Sequence, residues 1–462
     1  MNTAVILAAG QGSRLWPYAT IRPKAMVPVG ARPLITRTVE SLFAAGIERV
    51  LVAAGRSGAG GAWAGQLRGP FAGDERVTVI DVGDTGGSAG TLLALRDALG
   101  DEPFLALYGD VLIAPETLAA FAERARSEAP LVLAVADPAG DPRERIVLRV
   151  GADGCVDAVL GHPRDTPVHW FGGYAFTPAI FASLEANPGY FRDVQVGMMS
   201  PLESFLEMTM ADLTRRQRVP VMICDPDEAI DIDRPWDILA ANGAFAARAC
   251  AALRETTPAE GASIHPTASI TGFVSLGRNS RIGRHVIIEG NCIIGDDTVI
   301  DNGALLMGGN IIGDRCTLTN YCFVEEGAVV GNDCVLNHCA ELSGVLFDGV
   351  YLYHFMEMSG IIGEHTDIGA GTCCGALRFD DGETIAVVKG RRERPRYHAN
   401  AVYIGDFCRT GVNATIAPGR RIGCYSIIGA GTIVEKDVPD RALLYVKQET
   451  EQRPWGPEKY GW

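Results

Sequence analysis

Two hydrophobic rhythms divide the chain. From Met1 to about Ala244, short apolar runs and helically spaced stretches follow one another: AVILAAG, PLITRTVESLFAAGI, RVLVAAG, TLLALRDAL, PFLALYGD. Alternation of this kind predicts an α/β unit built on a mostly parallel sheet, whose ligands gather at the carboxyl ends of the strands. ETLAAFAERARSEA predicts a surface helix, and RPWDILAANGAFAARACAAL a closing one. After Pro258 the rhythm changes to six. Aliphatic residues stand at Ile264, Ile270, Leu276, Ile282, Ile288, Ile294, Ile300, Leu306, Ile312, Leu318, Val324, Val330, Leu336 and Leu342 without a miss. Glycine often follows directly, as at Gly277, Gly295 and Gly313, giving tight corners a permissive backbone. The register returns at Ile404, Ile416, Ile422, Ile428 and Val434. The breaks around Asp348–Met358 and Cys373–Asn400 are expected to be protruding loops.

Neither a helix nor a flat sheet has a period of six. The repeat resembles the left-handed parallel β-helix of hexapeptide-repeat proteins, in which three repeats make one triangular coil and the aliphatic side chain points inward. That resemblance implies a homotrimer or a dimer of trimers. The expected organisation is an α/β domain with a Rossmann-like, mostly parallel sheet at 1–248, a linker at 249–262, the β-helix at 263–440 and a C-terminal tail at 441–462.

Composition narrows the function. A formal net charge of −15 over 462 residues argues against nucleic acid or anionic lipid as a partner, so an anionic ligand must be met by local cations. Twelve cysteines without metal-ligand or disulfide-framework spacing predict reduced thiols in a cytoplasm. MNTAVILAAG has no basic leader and too short an apolar run for a membrane span, which predicts a buried strand.

The cations are concentrated in one place. LAAGQGSRLWPYATIRPK, from Leu7, is a glycine-bearing turn after a strand, suited to bringing backbone N–H groups to phosphate oxygens. Leu15 stands where a dinucleotide fingerprint needs its third glycine, and Lys24 falls too late for a P-loop. The spacing suits a loop over a triphosphate, with Arg14 and Lys24 neutralising charge at one phosphorus. The stretch resembles the LxxGxGxRLxPxTxxxPK signature of the sugar-phosphate nucleotidyltransferases. With the β-helix behind it, nearly the whole chain is similar to bifunctional N-acetylglucosamine-1-phosphate uridylyltransferases and their archaeal sugar-phosphate relatives. The resemblance implies that Leu7, Ala8, Ala9, Gly10, Gly12 and Ser13 line the nucleotide, as do Gly87, Ser88 and Ala89 in GGSAGTLLAL. It places Mg²⁺ on Asp110 of LYGDVLI and Asp231 of AIDIDRPWDILAAN, with Asp233, where the family commonly has glycine, as an understudy ligand or an exposed turn carboxylate. The implied reaction is attack by a sugar-like phosphate on the α-phosphorus of a nucleoside triphosphate with loss of pyrophosphate, Arg14 on the leaving phosphates and Lys24 on the α-phosphate.

Several positions depart from the family. GHPR replaces EKP on the acceptor side, leaving His162 or Arg164 to meet the sugar phosphate beside Gly109 and Gly172. Trp170 replaces a sugar-binding Asn and reads either as a core residue or as the wall of a less polar pocket for a deoxygenated or cyclitol-like phosphate. Val82 replaces the pyrimidine-reading Gln, so the base stays open. In the β-helix, counting back from GAGT puts Tyr353 at the acetyltransferase base position and His354 one residue late, where a strand turns it to the other face. Ala376 replaces the loop Asn, while Arg378 and Asp380 remain. The basic run Lys389–His398 reads as a solvated loop or a site for coenzyme A phosphates. The favoured reading of this half is a trimerisation scaffold. The alternatives are an acetyltransferase acting on an amino-sugar phosphate, or a catalytically idle assembly subunit.

Overall fold

The computed structural model describes residues 1–56, 63–138, 145–161, 169–189 and 203–457. Among these, nine strands form the sheet of the first half: β1 (Thr3–Ala8), β2 (Arg49–Ala54), β3 (Val77–Asp81), β4 (Phe104–Tyr108), β5 (Leu131–Ala136), β6 (Ile146–Val150), β7 (Val156–Gly161), β8 (His169–Phe176) and β9 (Val221–Cys224). Their order is β7-β6-β8-β4-β1-β2-β3, with β5 pairing β8 and β9. β1 is wholly buried and parallel to both β2 and β4, as its unbroken apolar run requires. β8 runs antiparallel to β4 and β5, so its first residues share an edge with the ends of β1, β4 and β5. That edge carries the site. One apolar cluster covers each face of the sheet.

In the second half, successive short strands pair in parallel, and Ile282, Ile300 and Leu318 stack in register. The aliphatic residues of the six-residue rhythm fill one continuous core, forming a parallel β-helix. Its boundaries differ from those expected. The closing helix Pro235–Ala251 enters the segment assigned to the linker, and the first ladder strand, Thr257–Pro258, lies inside it. At the other end Leu443–Leu444 still pairs with Ile427–Ile428.

The two interruptions have different causes. Asp348–Met358 is not a protruding loop: Tyr351–Tyr353 is a regular strand paired with Val335–Asn337. Here the coil is short, with stacked positions 16 residues apart where they were 18. The economy arises at Glu341–Leu346 and Glu357–Ile362, each a continuous strand across what is elsewhere a corner. Gly344 and Gly360 permit this, since a Cβ on Gly344 would stand 2.1 Å from the Gly360 carbonyl oxygen. Cys373–Asn400 is a true insertion, with an antiparallel hairpin of Ala386–Val388 and Arg391–Glu393.

The halves share a core. Ile311, Val329, Val345, Ile361 and Tyr403 point outward from one face of the β-helix, each buried against Leu15, Tyr18, Trp236 and their neighbours from the first half. The loop carrying Arg14 and Lys24 sits on this face. Tyr18 donates its hydroxyl to the Ile361 carbonyl at 2.8 Å, Trp16 Nε1 donates to Asp440 at 3.1 Å, and the buried Arg22 donates to Asp406 at 2.7 Å and Glu364 at 2.8 Å. At the start of the closing helix, Asp237 accepts the N–H groups of Asp233 and Arg234 at 3.0 and 2.7 Å. Burial pushes its carboxyl up to about 7, with the charges of Asp231 and Asp233 adding and Arg234 opposing.

Two outcomes follow for stability. Asp406→Asn leaves Arg22 as a buried cation short of its anion and costs about 3–5 kcal/mol, whereas the double change Arg22→Met with Asp406→Leu recovers most of it; denaturant unfolding of the full chain measures both. For Asp237, the folded carboxyl keeps its proton between about pH 4 and 7 while the unfolded one, near 3.9, has lost it. Its contribution to stability therefore falls as pH rises through that window, by at most about 1.4 kcal/mol per unit. Subtracting the Asp237→Asn stability curve from that of the wild type isolates this slope, and parallel curves would contradict it.

Candidate active site

The loop after β1 turns at Gly12, where φ is +65° and a Cβ would come within 2.8 Å of the Lys24 side chain, so only glycine fits. Lys24 opens a single 3₁₀ turn after Pro23 and reaches back across this point. Its Nζ donates to Asp110 Oδ2 at 2.9 Å and to Asp233 Oδ1 at 2.6 Å. Arg14 takes the other oxygen of Asp233 at 2.6 Å. Gly10 is exposed, and a Cβ there would meet nothing within 4 Å, so the loop leaves open space above the cations.

Asp110 and Asp231 come together through a two-stranded antiparallel ladder, Val111–Ile113 with Ala229–Asp231. Asp231 pairs with Val111, and Ile232 donates its N–H to the Asp110 carbonyl at 2.8 Å. Arg145 donates to Asp231 at 2.8 Å while its guanidinium lies 4.6 Å from the centroid of the Trp170 ring. Arg234 donates to Asp233 at 3.0 Å and pairs with Glu393 of the inserted hairpin.

Four carboxylates and four cations thus share one edge. Burial raises the Asp110 carboxyl, and neighbouring Asp231 and Asp233 reinforce this against the pull of Lys24. Asp233 shows the opposite balance: burial alone would raise it, but Lys24, Arg14 and Arg234 hold it well below the usual carboxylate range. Burial lowers Lys24, yet Asp233 and Asp110 more than restore it, so it stays an ammonium ion. Asp110 and Asp231, brought together by the two paired strands, offer carboxylate oxygens of the kind a hard divalent cation takes. Among the described residues no group of three or more His, Cys, Asp or Glu side chains is arranged to hold a metal. A hard cation here would complete its shell with phosphate oxygens and water.

The remaining expected residues scatter more widely. Leu7 and Ala8 are the buried end of β1, while Ala9 and Ser13 belong to the open loop. Gly87 has φ +136° against Ser204; the Ala89 N–H is bonded to the Ser204 carbonyl at 2.9 Å, and Ser88 Oγ accepts the Leu206 N–H at 3.0 Å. Gly109 donates to the Leu7 carbonyl at 2.9 Å beside Asp110. Gly172 lies at a register shift in β8. Trp170, 6% exposed, belongs to the core under Arg145, the bland alternative of its two readings. His162 and Arg164 lie outside the described residues. Asp233 is not an exposed turn carboxylate: it is 4% exposed and serves as a shared counter-ion.

In the β-helix, His354 stands at a corner with its Nδ1 2.7 Å from Nδ1 of His338, Tyr353 is on the preceding strand, and Arg378 pairs with Asp380. Lys389–His398 is not simply a solvated loop, since Glu393 and Arg396 are tied to the first half. Arg145, Arg234, Glu393 and His338 were missed from sequence. Each is a lone residue in an unremarkable setting, and only the partner brought by folding gives it meaning.

Both halves of the chain are similar to known proteins. Residues 4–190 match the MobA-like NTP transferase domain, and residues 255–349 match the GMPPB C-terminal domain. The chain is 28% identical to a protein named bifunctional protein GlmU from Methanococcus vannielii, covering 96% of this chain and 98% of that one. It is 26% identical to a bifunctional sugar-1-phosphate nucleotidylyltransferase/acetyltransferase from Sulfurisphaera tokodaii, covering 94% and 98%. A solved UDP-glucose pyrophosphorylase, in complex with UDP-glucose, matches 53% of this chain and 98% of its own at 20% identity, with a TM-score of 0.43. The chain is thus similar over nearly its whole length to bifunctional sugar-1-phosphate nucleotidyltransferases, with an NTP transferase domain in its first half and a parallel β-helix of hexapeptide repeats as its second.

Proposed function

We propose that nucleotidyl transfer takes place at the edge bearing Arg14, Lys24, Asp110 and Asp231, and that the acceptor is a sugar or cyclitol phosphate. The observation that carries this reading is the meeting of Arg14 and Lys24 on one carboxylate, Asp233, beside the Asp110–Asp231 pair. Two cations held by a single small anion suit exchange of that anion for phosphate oxygens. An acceptor phosphate oxygen bonds to the α-phosphorus, the bond from the α-phosphorus to the bridging oxygen breaks, and pyrophosphate leaves with that electron pair. The nucleophile is already anionic, so no general base is required. Lys24 steadies the α-phosphate and the incoming oxygen, and Arg14 the β- and γ-phosphates. Asp110 and Asp231 are the residues to hold Mg²⁺, which neutralises and orients the phosphates when bound. Arg145, beside Asp231 and across Trp170, is placed to orient the acceptor phosphate.

The domain reading is a transferase half that ends with the helix Pro235–Ala251 and a β-helix half whose ladder runs from Thr257 to Leu444. The β-helix serves as a scaffold for a homotrimer in the cytoplasm. Tyr321, Phe355 and Tyr425 stand exposed on its corners and supply apolar surface for self-association. Among the described residues no helix is long and apolar enough to cross a membrane. A second reading, acetyl transfer by the β-helix, is favoured by the His338–His354 pair, whose facing ring nitrogens can share a proton. Thiol release from acetyl-CoA in the presence of an amino-sugar phosphate tests it.

Pyrophosphate release with Mg²⁺, each of the five common nucleoside triphosphates and a panel of sugar and cyclitol phosphates is expected to single out one pair. Lys24→Ala and Asp110→Asn are each expected to lower that turnover by about two to three orders of magnitude with the thermal transition retained. Near-normal rates in either variant would remove these residues from the reaction.

A further inference from the structure

The insertion that leaves the β-helix after Cys373–Cys374 returns to the first half. Its hairpin sets the Glu393 carboxylate on Nε of Arg234, and another nitrogen of the same guanidinium holds Asp233 at 3.0 Å. Three residues beyond Glu393, Arg396 donates to the buried Asp137 at 2.8 Å. Asp137 immediately follows β5 on the edge that carries the site, so the insertion is pinned at two places along it. A chain of charge contacts then runs from the β-helix to the phosphate-directed cations: Glu393, Arg234, Asp233, and from there Lys24 and Arg14.

The geometry along this chain is one of sharing. Asp233 gives Oδ1 to Lys24 and divides Oδ2 between Arg14 at 2.6 Å and Arg234 at 3.0 Å. Arg234 has the longer of the two contacts because Glu393 claims its other side. Without the Glu393 charge, Arg234 turns wholly to Asp233. Asp233 then holds Lys24 less firmly, and the ammonium shifts toward its other partner, Asp110, which lies 2.9 Å away. Lys24 thereby competes with a divalent cation for the same carboxylate.

We propose that Glu393 is a positioning residue for nucleotidyl transfer, acting through Arg234 and Asp233 on Lys24, so that the inserted hairpin of the β-helix is part of the transferase site. This rests on the function proposed above. Glu393→Gln in the full chain is expected to lower kcat about tenfold and to raise the Mg²⁺ concentration for half-maximal rate several-fold, while Glu393→Asp restores most of both. A merely structural role would lower the melting temperature and the active fraction without moving the Mg²⁺ midpoint. An unchanged kcat and midpoint in a folded Glu393→Gln variant overturns the proposal. If that variant does not fold, Arg396→Gln releases the same hairpin without touching the cluster; it is expected to shift the midpoint in the same direction, and an unmoved midpoint is equally fatal. Lys24→Ala in the same assay separates the two levels. Full activity there defeats the site itself, whereas loss of activity there with a normal Glu393→Gln defeats only the relay.

Discussion

The guanidinium of Arg22 is the contact on which the two halves depend. It is almost wholly buried, and its carboxylate partners, Asp406 and Glu364, both belong to the β-helix. Burial lowers its tendency to hold a proton, and these two carboxylates more than restore it. A charge so placed is tolerable only with its partners in position, because an unpaired buried cation costs several kcal/mol. Arg22 lies between Arg14 and Lys24 in the chain, so the condition that seats it also fixes the loop bearing both cations. The coils beneath the loop thus hold it in its final shape.

The same logic governs the site. Arg14, Lys24, Arg145 and Arg234 face Asp110, Asp231, Asp233 and Asp237. Without substrate each of these cations already holds a carboxylate, so none has to be held in place against repulsion. A triphosphate carrying a divalent cation presents both kinds of partner at once. On the proposed reading its oxygens would take over the cations that Asp233 holds, and Asp110 and Asp231, released by Lys24 and Arg145, would hold the divalent cation. Exchange between preorganised partners demands little reorganisation, the condition under which electrostatic stabilisation is most effective. Asp233 thus makes sense of a departure that the linear sequence left ambiguous: where glycine is common in the family, a carboxylate here gathers the two cations, and on the proposed reading it would yield them to phosphate.

Much of this was legible before folding was considered. The aliphatic period of six specified the interior of the β-helix, since inward positions must be apolar whatever lies outside. The signature loop pointed to Arg14 and Lys24, and the resemblance of two further segments to family motifs, rather than any strand end by itself, pointed to Asp110 and Asp231. The seam between the halves was written only faintly: CIIG, NIIG, AVVG and GIIG carry two adjacent aliphatics, but so do VIIE, ALLM and SIIG elsewhere in the repeats. The second member enters the coil, and the first, at Ile311, Val329 and Ile361, must be covered from outside. A doublet alone does not single out this face, since Ile427 and Ile433, the first members of two others, are exposed. The shortened coils escaped notice because Gly344 and Gly360 remove a corner without disturbing the strands, so a change of period looked like a loop. Arg234 and Glu393 were illegible for another reason: 159 residues separate them, and no local pattern links an ion pair across that distance.

A coil repeat leaves its outward positions free, because the stacked interior alone maintains the fold. That freedom explains why one β-helix can meet several demands. One face is apolar and docks the transferase half, the corners present aromatic rings, and a single insertion departs from the coil beside the docked face. The position of that insertion is what gives it consequence. Tyr403, which resumes the ladder directly after it, is buried against the closing helix and packed in the same cluster as Trp236. An insertion on either of the other faces would extend into solvent or toward another subunit. On this one, the chain has to pass the Asp233–Asp237 turn before rejoining its coil, and the hairpin with Glu393 occupies that passage. The placement of a few extra residues in a repetitive scaffold is therefore enough to bring the charge of the second half into the site of the first.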